Sequence, residues 1–499
     1  MRSISLPLLL LLRLPLSSTS TFSFGSAASQ DPLGACSLLA VLCNGEFCAD
    51  VCADGGLALD AWLVGAIRLQ YNLTRARSWR LGPILGTHNA FISRANGFGL
   101  SEDLASALYA RTSTVAATHV RVPNQRFGPS TLLDLGVREL ELDIWDTLVN
   151  DRDFEVVVCH SPVPDPLAVL SLQAAADALG RGPLRYNPFL ELCSNRTIGW
   201  ALGRVSAWLA RNPDDFVEIF LDNRVAPWNI GLVTAALESA FGASLLTPPL
   251  LAARFNGSWP SRDTLVGAGF RVAVESNSYL NSNFSGTTFP TVAFWPTTWT
   301  SQPGPADLAP FPNCTLNGDA GWYGRDLPRL LDGGDLAMSP SEEDERGIVL
   351  KPVGVADLVA CAVNNVGLAD VTPSALAGWV WTWAAGEPRA PASGGCAAAA
   401  MTLVRGAWTA EPCAAPRRAL CRSGDARTPA GAAPDRWALT SARGTFYDAP
   451  AACAALGADW TFDVPRDGRE NALVAARLLD EGAWEAGGAG GPWLNVRAF

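Results

Sequence analysis

The chain has 499 residues, which at about 150 residues per domain predicts roughly two to four domains, or one large domain with smaller attachments. Hydrophobic residues make up 48% and charged residues 17%, a composition that excludes a wholly disordered chain, a coiled coil and a polybasic nucleic-acid binder. The formal net charge of -11 gives no long-range attraction to nucleic acid or an anionic membrane. An anionic ligand would therefore have to be held by a local positive charge, such as a bound metal ion.

The first residues have the pattern of a secretory signal. Met1-Arg2 precedes an apolar run from Ile4 to Leu12, and Ser26-Ala27-Ala28 offers small residues for cleavage, so we predict a signal peptide over 1–28. A membrane span needs about 20 uninterrupted apolar residues, and Arg13 interrupts this run. We expect a secreted, extracellular protein with no transmembrane segment after signal removal.

Cysteines and glycosylation sequons support the same compartment. All 12 cysteines follow the signal, and an even number can pair completely in an oxidising lumen. Five Asn-x-Ser/Thr sequons predict glycan acceptors, at Asn72, Asn195, Asn256, Asn283 and Asn313. Residues 29–78 are predicted to be an N-terminal segment cross-linked by disulfides rather than a zinc site. The reason is the irregular spacing of the first four cysteines, Cys36, Cys43, Cys48 and Cys52.

Residues 79–377 alternate short apolar runs with segments of helical period, which is typical of an α/β domain built on a parallel sheet or barrel. The predicted strands are 82–87, 136–144, 155–159, 216–221 and 270–274. The predicted helices are 167–179 and 198–212. The stretch 301–347 is predicted to form long loops with a solvated acidic patch at 342–345.

The strongest chemical signal is the acidic segment 138–146. In a strand, Glu139, Glu141 and Asp143 share one face and apolar residues share the other. A half-solvated antiparallel sheet would turn such a face to water, whereas a parallel barrel directs the carboxylates inward. Two carboxylates about 4 Å apart repel by roughly 4 kcal/mol at an effective dielectric of about 20, so the row needs protons, arginines or a cation. Calcium, which prefers oxygen ligands, fits best.

The chain has 3 histidines. His88 and His160 each follow a predicted strand, at the edge where barrel enzymes place catalytic groups, so we predict that both are catalytic. His119 lacks that context and is predicted to be structural. Lys351, the only lysine, is predicted to lie at the surface, with a reach to the site as the alternative. A substrate with several ring phosphates needs several cations to bind it, so the scarcity of lysine argues against such a substrate.

Three motifs carry a resemblance to a known family. The segments 85–90, 136–146 and 158–160 resemble, in the same order, the catalytic X region of phosphatidylinositol-specific phospholipase C. A fourth segment, 217–223, resembles the strand that ends in an acidic ligand in calcium-dependent members. The sister group of glycerophosphodiester phosphodiesterases usually has His-Arg where this chain has His-Asn, which favours the phospholipase. The resemblance extends over about 79–224 and implies an irregular TIM-like barrel.

When the functional residues of the family are assigned to the matching positions of this chain, the resemblance implies a Ca2+ site and a set of catalytic groups. The implied metal ligands are Asn89, Glu141, Asp143 and Asp222. His88 would hydrogen-bond the phosphoryl oxygens, His160 would protonate the leaving oxygen, and Glu141 would accept a proton from the attacking sugar hydroxyl; the two histidine roles could be exchanged. The expected substrate is a phosphoinositide or inositol-linked glycolipid at a membrane surface, and the first product is a cyclic phosphate.

Residues 378–499 have 8 tryptophans and 4 cysteines and are predicted to form a separate α+β module with a helix at 449–456. Segments around Trp383, Trp408 and Cys421 resemble the second half of a C-type lectin-like domain, and 437–496 resembles its first half, in inverted order. The positions that bind calcium and sugar in lectins are not kept. Disulfide-braced packing is therefore the first interpretation, and glycan or surface binding is the alternative.

The sequence leaves three functions open. The first is a secreted, calcium-dependent phosphoric diester hydrolase of the phospholipase C type. The second is a non-catalytic extracellular protein that binds glycans or surfaces and uses the barrel only as a scaffold. The third is a metal-independent lyase, which excess chelator would not inhibit.

Overall fold

The computed structural model describes a large part of the chain. The described residues are 39–44, 47–98, 119–121, 124–148, 153–159, 193–277, 284, 286–295, 308–315, 330–331, 337–339, 352–363, 365–368, 370–389, 397–402, 406–424, 436–480 and 491–497. The predicted signal, the helix predicted at 167–179, the acidic patch at 342–345, His160 and Lys351 lie outside these ranges.

Strands and helices are interspersed up to about residue 380, in agreement with a mixed α/β fold. The strands are β1 Leu39–Asn44, β2 Phe47–Cys52, β3 Ile84–Thr87, β4 His119–Arg121, β5 Glu139–Leu148, β6 Phe154–Cys159, β7 Cys193–Thr197, β8 Val217–Asn223, β9 Leu245–Leu246, β10 Val272–Ser276, β11 Leu330–Leu331, β12 Ala337–Ser339, β13 Asn365–Leu368, β14 Ala397–Met401, β15 Trp408–Pro412, β16 Leu420–Ser423, β17 Trp437–Leu439, β18 Trp460–Phe462 and β19 Trp493–Arg497. The α-helices are α1 Ala61–Thr74, α2 Pro129–Asp134, α3 Ile198–Arg211, α4 Ile230–Phe241, α5 Pro248–Phe255, α6 Arg262–Gly267, α7 Pro352–Ala360, α8 Pro373–Trp379, α9 Ala449–Ala454 and α10 Gly468–Asp480.

One mostly parallel sheet organises the α/β part. Its parallel strands are ordered β11-β13-β3-β5-β8-β10-β9, and β6 pairs with β5 and β7 with β6 in the antiparallel sense. The five predicted strands are present as β3, β5, β6, β8 and β10, and the predicted helix at 198–212 is α3. Among the described strands β9 and β11 do not pair with each other, so closure into a barrel stays a prediction.

The expectation that all five predicted strands run parallel is wrong for β6. Ile144 of β5 pairs with Val158 and Leu148 with Phe154, so β6 turns back along β5. Only 149–153 separate the two strands, which is a hairpin length, whereas a parallel crossover needs a dozen residues or more. The end of β6 therefore returns to the level of the acidic residues of β5.

The two faces of the sheet differ as the alternation in β5 predicts. Leu140, Leu142 and Ile144 lie fully buried in the main hydrophobic core, together with residues of α3 and α4 such as Val205 and Leu237. The opposite face has the carboxylates of β5, and its lower part packs on a separate apolar cluster that contains Trp79, Ile84, Phe216, Leu246, Leu251, Leu265, Phe270 and Ala273. Helices thus cover the apolar face, and the acidic face is enclosed.

The N-terminal segment consists of a β-hairpin followed by a helix with an N-cap residue. β1 and β2 pair antiparallel, with Cys43 opposite Cys48, and Cys52 is disulfide-bonded. Asp60 caps α1 by accepting a hydrogen bond of 2.8 Å from the Trp62 backbone N–H. Among the cysteines whose side chains the structure describes, none is free.

Residues after 378 form two three-stranded antiparallel sheets, β15-β14-β19 and β17-β16-β18, with the predicted helix present as α9. The Cys421–Cys453 disulfide joins β16 to α9, and a second disulfide, Cys314–Cys361, lies in the α/β part. The domain boundary and the lectin-like fold remain predictions.

The C-terminal sheets pack against the α/β part through a shared hydrophobic core and a buried ionic cluster. Trp408 and Trp437 belong to the same continuous hydrophobic core as β3, β5 and β8. Arg77, just after α1, ion-pairs with Asp467 and with Glu470 at 2.8 Å, and all three side chains are at least nine-tenths buried. None of the helices in the described residues has the length and apolarity to cross a membrane.

Candidate active site

The acidic face of β5 is the base of the site. Cross-strand register places Glu139 opposite Glu218 and Asp143 opposite Asp222 on β8. Each of these four side chains is at least nine-tenths buried, although the pairs bring like charges together. Side chains directly opposite on neighbouring strands are close, so β5 and β8 hold two acidic layers one above the other.

The turn after β3 brings His88 and Asn89 onto this face. The His88 backbone N–H donates to the Leu368 carbonyl at 2.9 Å, which continues the pairing of β3 with β13. Asn89 has a left-handed φ of 47°, and its backbone N–H donates to Glu141 Oε2 at 3.2 Å. The same carboxylate oxygen lies 3.9 Å from His88 Nε2. Asparagine tolerates this conformation better than most residues, which suits it to so tight a turn.

Two buried amides that the sequence did not single out hold His88. Asn124 Nδ2 lies 3.3 Å from His88 Nδ1, and Asn124 Oδ1 accepts a hydrogen bond of 3.0 Å from Asn89 Nδ2. Gln125 Nε2 donates to the His88 carbonyl at 2.8 Å and to the Leu368 carbonyl at 2.9 Å. The segment belongs to no strong strand or helix pattern, so its sequence gives no signal beyond two adjacent polar residues.

Asp222, predicted as a metal ligand, is in an electrostatically strained position. Burial, followed by the negative charge of Glu141, raises the pKa of Asp222, while hydrogen bonds from Asn277 and the charge of Arg224 oppose the rise. Asn277 Nδ2 donates to Asp222 Oδ1 at 2.9 Å, and the Arg224 guanidinium reaches Oδ2 at 3.4 Å. A cation between Asp222 and Glu141 would relieve the same repulsion.

A second ionic layer lies one step below. The Arg80 guanidinium lies 2.8 Å from Glu218 Oε1 and ion-pairs with Glu275. Trp79 Nε1 donates to Glu218 Oε2 at 2.8 Å. Burial raises the pKa of Glu218 to about 8, although Arg80 lowers it and Glu275 and Glu139 add to the rise. Arg80 thus provides one positive charge to this layer, and burial favours the protonated form of Glu218.

The donor set of the upper layer suits calcium in its chemistry. Asn89, Glu141, Asp143 and Asp222 offer only oxygen atoms, and Asn89 Oδ1 is buried and accepts no hydrogen bond from the described residues. Across the described ranges, however, no three His, Cys, Asp or Glu side chains converge as a ready metal site. The residues fit a calcium ion by donor type and burial, while the two carboxylate oxygens of Asp222 accept hydrogen bonds from Asn277 and Arg224.

The structure thus brings together five of the six predicted site residues: His88, Asn89, Glu141, Asp143 and Asp222. The sixth, His160, lies outside the described residues. His119 lies in β4, which pairs with β12 in a small separate sheet opposite Ser339. Fold and site together define a mixed α/β protein with histidine, amide and carboxylate groups gathered on the enclosed face of a mostly parallel sheet.

The sequence is similar to mycobacterial proteins over most of its length. No family model matches it. Two uncharacterized proteins of Mycobacterium tuberculosis, from strains CDC 1551 / Oshkosh and ATCC 25618 / H37Rv, are each 26% identical over 457 residues, which is 88% of this chain and 80% of the relative. The similarity therefore includes both the α/β part and the C-terminal sheets, and it names no activity.

The chain also aligns weakly with solved structures. A phosphatidylinositol-specific phospholipase C from Listeria monocytogenes aligns with a TM-score of 0.26 and 12% identity, over 47% of this chain and 65% of that chain. The S. officinalis protein PLC21 aligns with a TM-score of 0.24 and 11% identity, over 48% of this chain and 26% of that chain. The fold described above rests on its own strand pairing and not on these alignments.

Proposed function

We propose that the protein is a calcium-dependent phosphoric diester hydrolase of the phosphatidylinositol-specific phospholipase C type. The observation that carries the proposal is the meeting of His88 and Asn89, from the end of β3, with Glu141 from β5, beside the Asp143–Asp222 pair. Phosphodiester cleavage needs a hydrogen-bond donor for the phosphoryl oxygens and a base for the attacking hydroxyl. These residues have those functional groups in one enclosed acidic layer.

The proposed reaction is an attack of a sugar hydroxyl on the adjacent phosphorus. The new oxygen–phosphorus bond closes a cyclic phosphate, and the bond from phosphorus to the lipid alcohol oxygen breaks. Glu141 accepts the proton of the attacking hydroxyl, His88 donates a hydrogen bond to a phosphoryl oxygen, and His160 gives a proton to the leaving oxygen. Calcium, held by Asn89, Glu141, Asp143 and Asp222, would lower the pKa of the attacking hydroxyl and offset the developing negative charge.

The proposed location is extracellular, with the substrate in a membrane surface. Of the predicted glycan acceptors, Asn72, Asn256 and Asn313 are exposed, as a glycan requires. Trp228, in the connection after β8, is 79% exposed, and Trp295, beside the end of β10, is 51% exposed. Both lie at the carboxyl ends of strands that flank the site, and tryptophan favours the membrane–water interface.

The direct test is hydrolysis of phosphatidylinositol by the purified full chain, with calcium and with excess chelator. We expect activity with calcium, abolished by chelator, and a decrease of at least about 100-fold in His88→Ala. His119→Ala is the matched control and should retain activity, because β4 lies outside the parallel sheet. Hydrolysis that is insensitive to chelator would select the metal-independent lyase. Glycan binding without any hydrolysis would select the non-catalytic binding protein.

A further inference from the structure

Three side chains form a continuous hydrogen-bonded row that ends on the ring of His88. Asn89 Nδ2 donates to Asn124 Oδ1 at 3.0 Å, and Asn124 Nδ2 lies 3.3 Å from His88 Nδ1. Asn124 is 3% exposed, Asn89 1% and His88 6%, so bulk water does not compete for these contacts. In such a row, the donor or acceptor role of one amide group fixes the role of the next group along.

The polarity of the row determines which ring nitrogen of His88 has the proton. A carboxamide has an acceptor oxygen at one position and a donor nitrogen at the other. Because Asn124 Oδ1 is used by Asn89, the group that faces His88 is an N–H donor, and Nδ1 must accept. When the ring is neutral its proton is then on Nε2, which lies 3.9 Å from Glu141 Oε2.

The backbone of His88 is fixed by the next residue in the chain. Gln125 Nε2 donates both to the His88 carbonyl, at 2.8 Å, and to the Leu368 carbonyl, at 2.9 Å. Gln125 Oε1 in turn accepts from the Val371 backbone N–H at 3.2 Å. One dipeptide therefore holds the main chain and the ring of His88 at once, which leaves the ring little freedom to rotate.

We propose that Asn124 is a positioning residue that fixes His88 in the Nε2–H tautomer, so that the ring presents a hydrogen-bond donor to the acidic layer. The role rests on the proposed function, because a phosphoryl oxygen is the acceptor that would use this donor. The proposal also assigns different roles to His88 and His160. A His88 ring that accepts a hydrogen bond at Nδ1 and has its proton on Nε2 is suited to donate a hydrogen bond to an oxyanion rather than to act as a base. The tautomer itself does not depend on any substrate.

The test is NMR of the full chain labelled with 15N and 13C in histidine, which has only 3 residues to assign. The wild type should show the Nε2–H tautomer for His88. Asn124→Asp, which keeps the shape and replaces the donor by an acceptor, should convert the ring to the form with a proton on Nδ1. Asn124→Leu should remove the tautomer preference. Asn96→Leu is the matched control, because Asn96 is a buried amide that donates to the Phe91 carbonyl at 3.0 Å and contacts neither His88 nor Asn89 in the described network.

Kinetics separate positioning from packing. Where hydrolysis is measurable, Asn124→Asp and Asn124→Leu should lower kcat by about tenfold or more and leave KM within about twofold, because Asn124 acts on the reacting group and not on substrate affinity. A wild-type ring with its proton on Nδ1, or an unchanged tautomer in Asn124→Asp, overturns the proposal. If the protein hydrolyses no phosphodiester but the tautomer follows Asn124 as predicted, the proposed function fails and the positioning role stands.

Discussion

Replacing Arg80 by methionine should destabilise the protein strongly and in a pH-dependent manner. The guanidinium lies 2.8 Å from Glu218, ion-pairs with Glu275 and lies over the Trp259 ring at 4.5 Å from its centroid. Methionine keeps much of the apolar volume but leaves two carboxylates, 3% and 5% exposed, without their cation. Removing one partner of a buried ion pair costs about 3–5 kcal/mol, and we expect a loss of that size in the free energy of unfolding at about pH 8.

The sign of the pH dependence follows from Glu218. Burial raises its folded-state pKa from 4.5 to about 8, so its contribution to stability is present below pH 4.5 and is lost as the pH rises towards 8. Without the positive charge of Arg80 the pKa of Glu218 rises further. The loss in Arg80→Met should therefore be smallest near pH 5, where the carboxyl is protonated in the folded state, and largest at and above about pH 8.

Urea unfolding with intact disulfides, followed by tryptophan fluorescence at the two pH values, measures both quantities. Arg75→Met is the matched control, because Arg75 pairs with Asp263 at 2.6 Å in a half-exposed position, with side chains 50% and 42% exposed. An exposed pair of this kind is worth about 0–1 kcal/mol. Equal losses in the two variants, or a loss in Arg80→Met that is larger at pH 5 than at pH 8, would refute this account of the buried layer.

Three further predictions concern other parts of the molecule. Arg77→Met removes the cation paired with buried Asp467 and leaves buried Glu470 with Arg422 at 3.7 Å, and it should lower the free energy of unfolding by about 3–5 kcal/mol in calorimetry or urea unfolding. Replacing both Cys421 and Cys453 by serine opens a loop of 32 residues and should cost about 4 kcal/mol in the same assay. Trp228→Ala should weaken binding to uncharged phosphatidylcholine vesicles by about fivefold or more in sedimentation assays, whereas Tyr447→Ala, which removes a 58% exposed aromatic ring of the C-terminal part, should not.

Strand position and strand face could be predicted from the sequence because they depend on local alternation. The apolar and acidic residues of β5 alternate without a break, and the structure places Leu142 in the helix-covered core and Glu141 on the enclosed face. The same logic placed His88 at the end of β3. The direction of β6 could not be predicted in this way, because a short apolar run looks the same in a parallel and an antiparallel strand; only the length of the connection distinguishes them.

The residues that hydrogen-bond to the site residues could not be predicted from the sequence, for a different reason. Asn124 contacts His88 across 36 positions of sequence, and Asn277 contacts Asp222 across 55. Side-chain amides are common in loops, and nothing in their local pattern distinguishes one that is folded inward onto a histidine from one in solvent. Such contacts are set by the tertiary fold, so they become visible only when the strands are paired.

The core shared by the C-terminal sheets and the α/β part limits how this protein can change in evolution. Trp408 donates its indole N–H to Asn471 at 3.0 Å, and its ring packs edge-on against Trp381, in the same apolar interior as the strands that bear the catalytic candidates. A nonsense mutation just after residue 380 would delete Trp381 and Trp408, open that interior to water and expose the chain to proteolysis. A recombination event that replaced the C-terminal sheets would have to supply side chains that pack as these tryptophans do. The α/β part and the C-terminal sheets are therefore constrained to be inherited together.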